Sequence, residues 1–121
     1  MDAISVVVGA PIGETEVRVR EALRTVGFGV LTEIDLAATL HEKLGEDRPP
    51  LKILGACNPV FASKALHADP SMALLLPCNV VLAEYDGSTT VSAADPRALM
   101  PGHPELTSEV ASLLEKALAA V

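Results

Sequence analysis

Residues 51–59, LKILGACNP, contain an apolar run that stops at an Asn-Pro pair. The run Leu51–Ala56 predicts a strand, because it is short, apolar and bounded by turn-forming residues. Asn58 can accept hydrogen bonds from the first free amides of a helix, and Pro59 has no amide hydrogen that would need a partner. The stretch therefore predicts a strand that turns into a helix, with Cys57 at the junction.

A second Cys-Asn pair follows in residues 75–80, LLPCNV, and Cys57 and Cys78 are the two cysteines of the chain. Asn79–Tyr85 and Thr89–Ser92 read as two strands that form a hairpin, with the turn at Asp86-Gly87-Ser88. If the strands before Cys57 and after Cys78 are antiparallel neighbours, both thiols lie at the same edge of the sheet.

The other segments alternate between strand and helix patterns. Strands are predicted at Ile4–Val8 and Gly29–Ile34, and apolar residues recur at helical spacing in Val19–Val26, Leu36–Leu44 and Glu105–Ala120. The order predicts an α+β fold with a mostly antiparallel sheet and helices packed on one face. A doubly wound parallel sheet is the alternative, but Gly9–Gly13 does not match the phosphate-binding loop that would be expected after its first strand.

Length and composition restrict the possible functions. The 121 residues are predicted to form a single domain, residues 1–121, and half of them are hydrophobic, which favours self-association. A net charge of −7 argues against nucleic-acid binding, which relies on Lys and Arg. We find no export signal and no apolar stretch that could span a bilayer, so we expect a cytoplasmic protein with reduced thiols and no membrane contact.

Several blocks of the sequence resemble the family called domain of unknown function 302, and the resemblance covers nearly the whole chain. It implies a compact α+β domain, similar in outline to one half of the TATA-binding protein, and a homodimer; it implies no established activity. The blocks that carry it are Glu33-Ile34-Asp35, Thr39-Leu40, Glu42-Lys43-Leu44-Gly45, Ile53-Leu54-Gly55-Ala56-Cys57-Asn58-Pro59, Ala65-Leu66 and Leu74-Leu75-Leu76-Pro77-Cys78-Asn79-Val80.

The two Cys-Asn pairs are the main candidate site. Cys57 precedes a predicted helix N-terminus, where the helix dipole would favour a thiolate. With Asn58 and Asn79 as amide donors beside Cys57 and Cys78, the thiols could serve redox or persulfide chemistry, a soft metal or an electrophilic ligand. The alternative is that both cysteines are small buried apolar residues and that Asn58 only caps a helix.

Charged residues add weaker candidates. Glu33 near Lys43 could form part of a pocket wall. The pairs Glu33 with Asp35 and Glu84 with Asp86 could bind a cation or act as acid and base, although a solvated strand face explains them as well. Lys52 is expected to be a solvated strand residue. The histidines, which have no metal-ligand spacing and are expected at the surface, are His41, His67 and His103, and we predict no metal site.

Three functions follow from these candidates. The first is a homodimeric small-molecule-binding module with a pocket lined by Cys57, Asn58, Cys78 and Asn79. The second is a thiol-dependent redox or sulfur-transfer protein, with Cys57 as nucleophile and Cys78 as resolving partner. The third is a structural subunit with no ligand. No general base is evident, so whether the protein is an enzyme stays open, and no cofactor is indicated.

Overall fold

Strands and helices alternate along most of the chain, which the computed structural model describes over residues 1–121. The elements are β1 Ala3–Val8, α1 Ile12–Thr25, β2 Gly29–Asp35, α2 Leu36–Leu44, β3 Leu51–Cys57, α3 Pro59–Ala68, a 3-10 helix Pro70–Leu75, β4 Cys78–Tyr85, β5 Ser88–Ala94, α4 Pro96–Leu99 and α5 Pro104–Ala119.

The five strands form one sheet in the order β1-β5-β4-β3-β2, and each neighbouring pair is antiparallel. This confirms the predicted α+β class and excludes the doubly wound parallel sheet. The likeness to one half of the TATA-binding protein stays a prediction. Because β3 and β4 are neighbours, the chain segments that carry the two cysteines lie side by side.

Helices α1 and α5 pack on one face of the sheet and form the hydrophobic core with it. Their apolar side chains repeat at helical spacing, so each helix presents one buried stripe. The largest fully buried apolar side chains are Val19, Leu23, Leu54, Val80, Leu82, Val91, Val110, Leu114 and Leu118. By contrast, α2 has no buried residue, and Leu44 of its predicted apolar stripe is 73% exposed.

The opposite face of the sheet, here called the open face, is less covered. Side chains alternate between the two faces along a strand, and the register places Ser92, Val81, Ile53 and Ile34 side by side across four strands. Ile34 is 47% exposed, whereas Val81 and Ile53 are half-buried. The apolar side chains on the open face are therefore partly exposed to solvent.

Local signals in the sequence account for most of the element boundaries. Asp35 accepts a hydrogen bond from the Ala38 amide at 2.9 Å and so caps α2. Asp86 and Gly87 have φ angles of 49° and 78°, which is the positive-φ pair of a type I′ hairpin turn. The 3-10 helix was not predicted, although Asp69 caps it through the Ser71 amide in the same way that Asn58 caps α3.

Candidate functional site

The two cysteines lie on neighbouring strands, offset by one residue in the strand register. Ala56 of β3 pairs with Cys78 of β4, and Cys57 is the next residue along β3. Both cysteines are free and half-buried. Because β3 and β4 are antiparallel neighbours, the two junctions lie at the same edge of the sheet.

Cys78 is held in its neutral thiol form. Burial removes water that would solvate a thiolate, and it raises the pKa of Cys78 from 9.0 to about 11, with a smaller contribution from the nearby Cys57. A thiol with this pKa is almost fully protonated at neutral pH. Because the thiolate is the nucleophile and the metal ligand, Cys78 is poorly suited to either role in this state.

A cavity of about 300 Å³ opens beside Cys78, and Asn79 also lines it. The 3-10 helix and the segment after it form one wall, and the end of β5 with α4 forms the other. The remaining lining residues, most of them hydrophobic, are Leu74, Leu75, Leu76, Pro77, Ala94, Pro96, Leu99 and Met100. This space is at the lower end of the range of about 300–1,000 Å³ found for small-molecule pockets.

Asn58 is separated from this cavity. It is 8% exposed, and its Oδ1 accepts hydrogen bonds from the amides of Val60 and Phe61 at 3.1 and 3.2 Å. Its Nδ2 donates to the Val26 carbonyl at 3.5 Å. Asn58 lines a different cavity, of about 220 Å³, between α3 and α5.

The predicted four-residue pocket is therefore divided in the structure. Cys78 and Asn79 line one cavity and Asn58 lines another. Cys57 lines neither cavity, although it precedes Asn58 in the chain and its neighbour Ala56 pairs with Cys78. The predicted capping role of Asn58 is satisfied by its two amide hydrogen bonds, which leave its oxygen engaged.

Glu33 and Lys43 are not brought together. Glu33 bonds to Lys52 Nζ at 2.6 Å and to Arg20 at 3.0 Å, and Glu16 closes the ring by pairing with the same two cations. Lys43 is exposed in the last turn of α2. Lys52, expected to be solvated, is half-buried instead, and hydrogen bonds with Glu16 and then Glu33 raise its pKa.

In both predicted carboxylate pairs the two members have separate roles: Glu33 lies in the ring of ion pairs, whereas Asp35 caps α2. Glu84 accepts a hydrogen bond from the Ile12 amide at 2.7 Å and so caps α1 from the neighbouring strand, while Asp86 lies in the hairpin turn. No group of three or more His, Cys, Asp or Glu side chains is placed to hold a metal ion. The structure also contains no helix with the length and apolar character needed to cross a membrane.

The histidines differ in their surroundings. His41 is exposed and pairs with Asp47 at 2.8 Å, and His67 is exposed with its Nδ1 at 2.7 Å from the Ser63 carbonyl. His103, by contrast, is half-buried and lies close to Asp69. The expectation of three surface histidines is thus correct for two of them.

Sequence reasoning missed the walls of the larger cavity. They come from the 3-10 helix and from α4, two short elements that the packing of the whole domain places on opposite sides of the cavity. The available signals were the apolar run Leu74–Leu76 and the Asp95-Pro96 pair, which begins α4. Neither signal indicates a cavity by itself.

Nearly the whole chain matches a known protein family. Residues 4–121 match the model of the family described as Domain of unknown function DUF302. The chain is also similar to a solved structure described as the crystal structure of an uncharacterized conserved protein DUF302 from Bacillus stearothermophilus. The two are 35% identical with a TM-score of 0.84, and the match covers 99% of this chain and 94% of that chain. No curated protein matches the chain. The chain therefore belongs to the DUF302 family.

Proposed function

We propose that this protein is a homodimeric small-molecule-binding module whose ligand occupies the cavity beside Cys78 and Asn79. The observation that carries the proposal is the cavity itself: a mostly apolar space of about 300 Å³ with a thiol and an amide in its wall. Small-molecule sites commonly combine an apolar lining with a few polar groups that fix the orientation of the ligand.

The chemistry of the lining favours a ligand with an apolar body. Leu74 is 87% exposed and Leu75 is 36% exposed, which is unusual for two large apolar side chains that follow each other. A bound apolar molecule would remove this surface from water, and each Å² of apolar surface buried would stabilise the complex by about 25 cal/mol. Asn79 supplies the polar group that would orient such a molecule.

The same cavity argues against a thiol enzyme that uses Cys78 as an attacking or resolving group. The pKa of Cys78 is about 11 because burial disfavours its charged form. Thiol exchange requires a substantial thiolate fraction near neutral pH. Binding therefore agrees better with the geometry than redox or sulfur transfer does.

The dimer is proposed on the open face of the sheet. Ile34, Ile53, Val81, Ala83 and Leu51 lie on adjacent positions of β2, β3 and β4 there. Five strands spaced by about 4.8 Å and about six residues long cover roughly 500 Å² in projection. Two such faces bury an area of about 1,000 Å² in total, which is near the lower limit for a specific interface.

Ligand binding can be tested with N-phenyl-1-naphthylamine, a neutral apolar dye whose fluorescence rises when it leaves water. We expect saturable binding of one dye per chain, and at least about fivefold weaker binding in Leu74→Gln. Leu44→Gln is the matched control, because Leu44 is also highly exposed, at 73%, and lies in α2 outside the cavity. Absence of saturable binding, or equal binding by both variants, would contradict the proposal.

The dimer can be tested by light scattering coupled to size exclusion at micromolar concentration. We expect a mass twice that of one chain, and a monomer for Ile34→Asp because a charge on the open face opposes burial. Val17→Asp, at a 69% exposed position of α1, is expected to stay dimeric. A monomeric parent protein would overturn the dimer and leave the binding proposal in place.

A further inference from the structure

A second cavity adjoins the one beside Cys78. It has a volume of about 260 Å³, and three residues, Leu75, Leu99 and Met100, line both spaces. The second cavity lies between the 3-10 helix and the chain just before α5. The side chain of Met100 is unbranched and flexible, so an elongated molecule held in the first cavity can extend past it into the second.

The far end of this second cavity is polar. Its polar side chains are Asp69, Ser71 and His103. Asp69 Oδ1 accepts hydrogen bonds from the Ser71 hydroxyl at 2.7 Å and the Ser71 amide at 3.0 Å. These bonds, first the one from the hydroxyl and then the one from the backbone, lower the pKa of Asp69, and His103 adds to the effect. Asp69 is therefore ionised at neutral pH.

The second oxygen of Asp69 is available. Both hydrogen bonds that Asp69 accepts fall on Oδ1, and Oδ2 has no partner within the chain. A carboxylate oxygen accepts two hydrogen bonds when its charge is retained. Oδ2 can thus accept a hydrogen bond from a bound molecule without disturbing the cap of the 3-10 helix.

Few charged or titratable side chains line the two cavities. Neither cavity has a Lys or Arg in its lining, and Asp69 is the one acidic residue there. His103 is the one imidazole in the lining, and it lies beside Asp69. A ligand with a carboxylate or phosphate would therefore find no Lys or Arg to pair with and would approach an anion. An ammonium group, in contrast, would meet a carboxylate with a free oxygen.

From this arrangement we infer that the ligand is an amphipathic amine, with its apolar body beside Cys78 and its ammonium group hydrogen-bonded to Asp69 Oδ2. The inference rests on the proposed function, because it assumes that the cavity beside Cys78 holds the apolar body. It adds the chemical class of the ligand and a second end of the site.

Three molecules with one chain length test this inference: octylammonium, 1-octanol and octanoate. Each is titrated against N-phenyl-1-naphthylamine bound to the full chain, below the concentration at which it forms micelles. We expect octylammonium to displace the dye about two- to fivefold more effectively than octanol, the range for a partly exposed ion pair. Octanoate is expected to be the weakest of the three.

The matched variants are Asp69→Asn and Asp35→Asn. Each removes one negative charge at a helix N-cap and leaves an amide oxygen that can still cap, but Asp35 caps α2 and lines neither cavity. We expect the preference for octylammonium to vanish in Asp69→Asn and to persist in Asp35→Asn. Circular dichroism melting of both variants confirms that the fold is retained.

The outcomes separate this inference from the proposed function. If all three molecules displace the dye equally, or if the preference survives in Asp69→Asn, the cavity binds apolar ligands but the inferred amine class is wrong. If the dye itself shows no saturable binding, the proposed function fails and the inference fails with it. A preference that depends on Asp69 alone supports both.

Discussion

The two Cys-Asn junctions have the same residue pair but different structures. Asn58 is followed by Pro59, lies at a turn from strand to helix, and is 8% exposed. Its Oδ1 accepts hydrogen bonds from two backbone amides. Asn79 lies inside β4, is exposed, and lines the cavity. The comparison teaches that the residue after the pair decides its role: a proline starts a helix, whereas Val80 continues a strand.

The cysteines of the two junctions differ as well. Cys78 lines the larger cavity, whereas Cys57 lines none, although the two residues are one register step apart. A shared edge of the sheet therefore does not make a shared site. Chemical labelling and mutation of the two junctions can test this difference.

The largest effect is expected for alkylation of Cys78. A pKa that burial raises from 9.0 to about 11 lowers the thiolate fraction at neutral pH about 100-fold. With iodoacetamide at pH 7.5, we expect Cys78 to react about 100-fold more slowly in the native protein than in urea. Its rate should rise with pH until about 11, as read at each cysteine by mass spectrometry.

The reaction in urea serves as the control, because unfolding removes the burial.

The raised pKa of Cys78 also affects the pH dependence of stability. The native state keeps the Cys78 proton between pH 9.0 and about 11 while the unfolded state loses it, so stability falls as pH rises through this range. Cys78→Ala should flatten that fall. Native labelling of Cys78 as fast as in urea would show that the thiol is not protected.

A smaller effect is expected at Gly55, which links the two junctions. Gly55 pairs with Asn79, and a methyl group there would overlap the Thr32 hydroxyl and lie 3.0 Å from Pro77 Cγ, next to Cys78. We expect Gly55→Ala to lower the free energy of unfolding by about 1–3 kcal/mol, the usual cost of overpacking. Urea denaturation measures the change.

The matched variant is Gly29→Ala, because a methyl group at Gly29, which pairs with Cys57, would meet no atom within 4 Å. It should be much less destabilising than Gly55→Ala. Thr32→Ala in the Gly55→Ala background should recover part of the lost stability, since it removes the overlapping hydroxyl. Equal stability of the two glycine variants would mean that Pro77 and Thr32 move aside without cost.

Local features of this fold were predictable and the cavity was not, for a physical reason. The cap by Asn58 and the turn at Asp86-Gly87 depend on residues within about three positions of each other, so the sequence pattern contains the whole interaction. The order of such elements left two sheet types open, and the antiparallel one was favoured because Gly9–Gly13 does not match a phosphate-binding loop. The resemblance to DUF302 pointed to the same class.

The cavity depends on contacts between distant segments. Leu75 and Met100 line one space only because the fold places the 3-10 helix and the end of α4 around the same cavity. Lys52 was expected in solvent because its partner Glu16 lies on α1, far away in the chain. Half-burial of His103 beside Asp69 has the same origin. No periodicity or spacing in the sequence records such contacts.

The smallest of the three effects directly compares the two asparagines. Asn58→Ala removes the oxygen that caps α3 and leaves the amides of Val60 and Phe61 without that partner, so we expect a loss of about 1–2 kcal/mol in unfolding free energy. Asn79→Ala removes an exposed side chain within a strand, and we expect a change within about 0.5 kcal/mol.

For ligand binding, the larger effect is expected at Asn79. Asn79 lines the cavity beside Cys78 and Asn58 does not. N-phenyl-1-naphthylamine should therefore bind more weakly to Asn79→Ala, but with unchanged affinity to Asn58→Ala, at a temperature where both variants are folded. Asn58→Asp is the control for the cap, because a carboxylate oxygen accepts the same two bonds. If Asn58→Ala weakens dye binding at unchanged stability, the two junctions share one site after all, and their separation in the structure does not describe how the protein works.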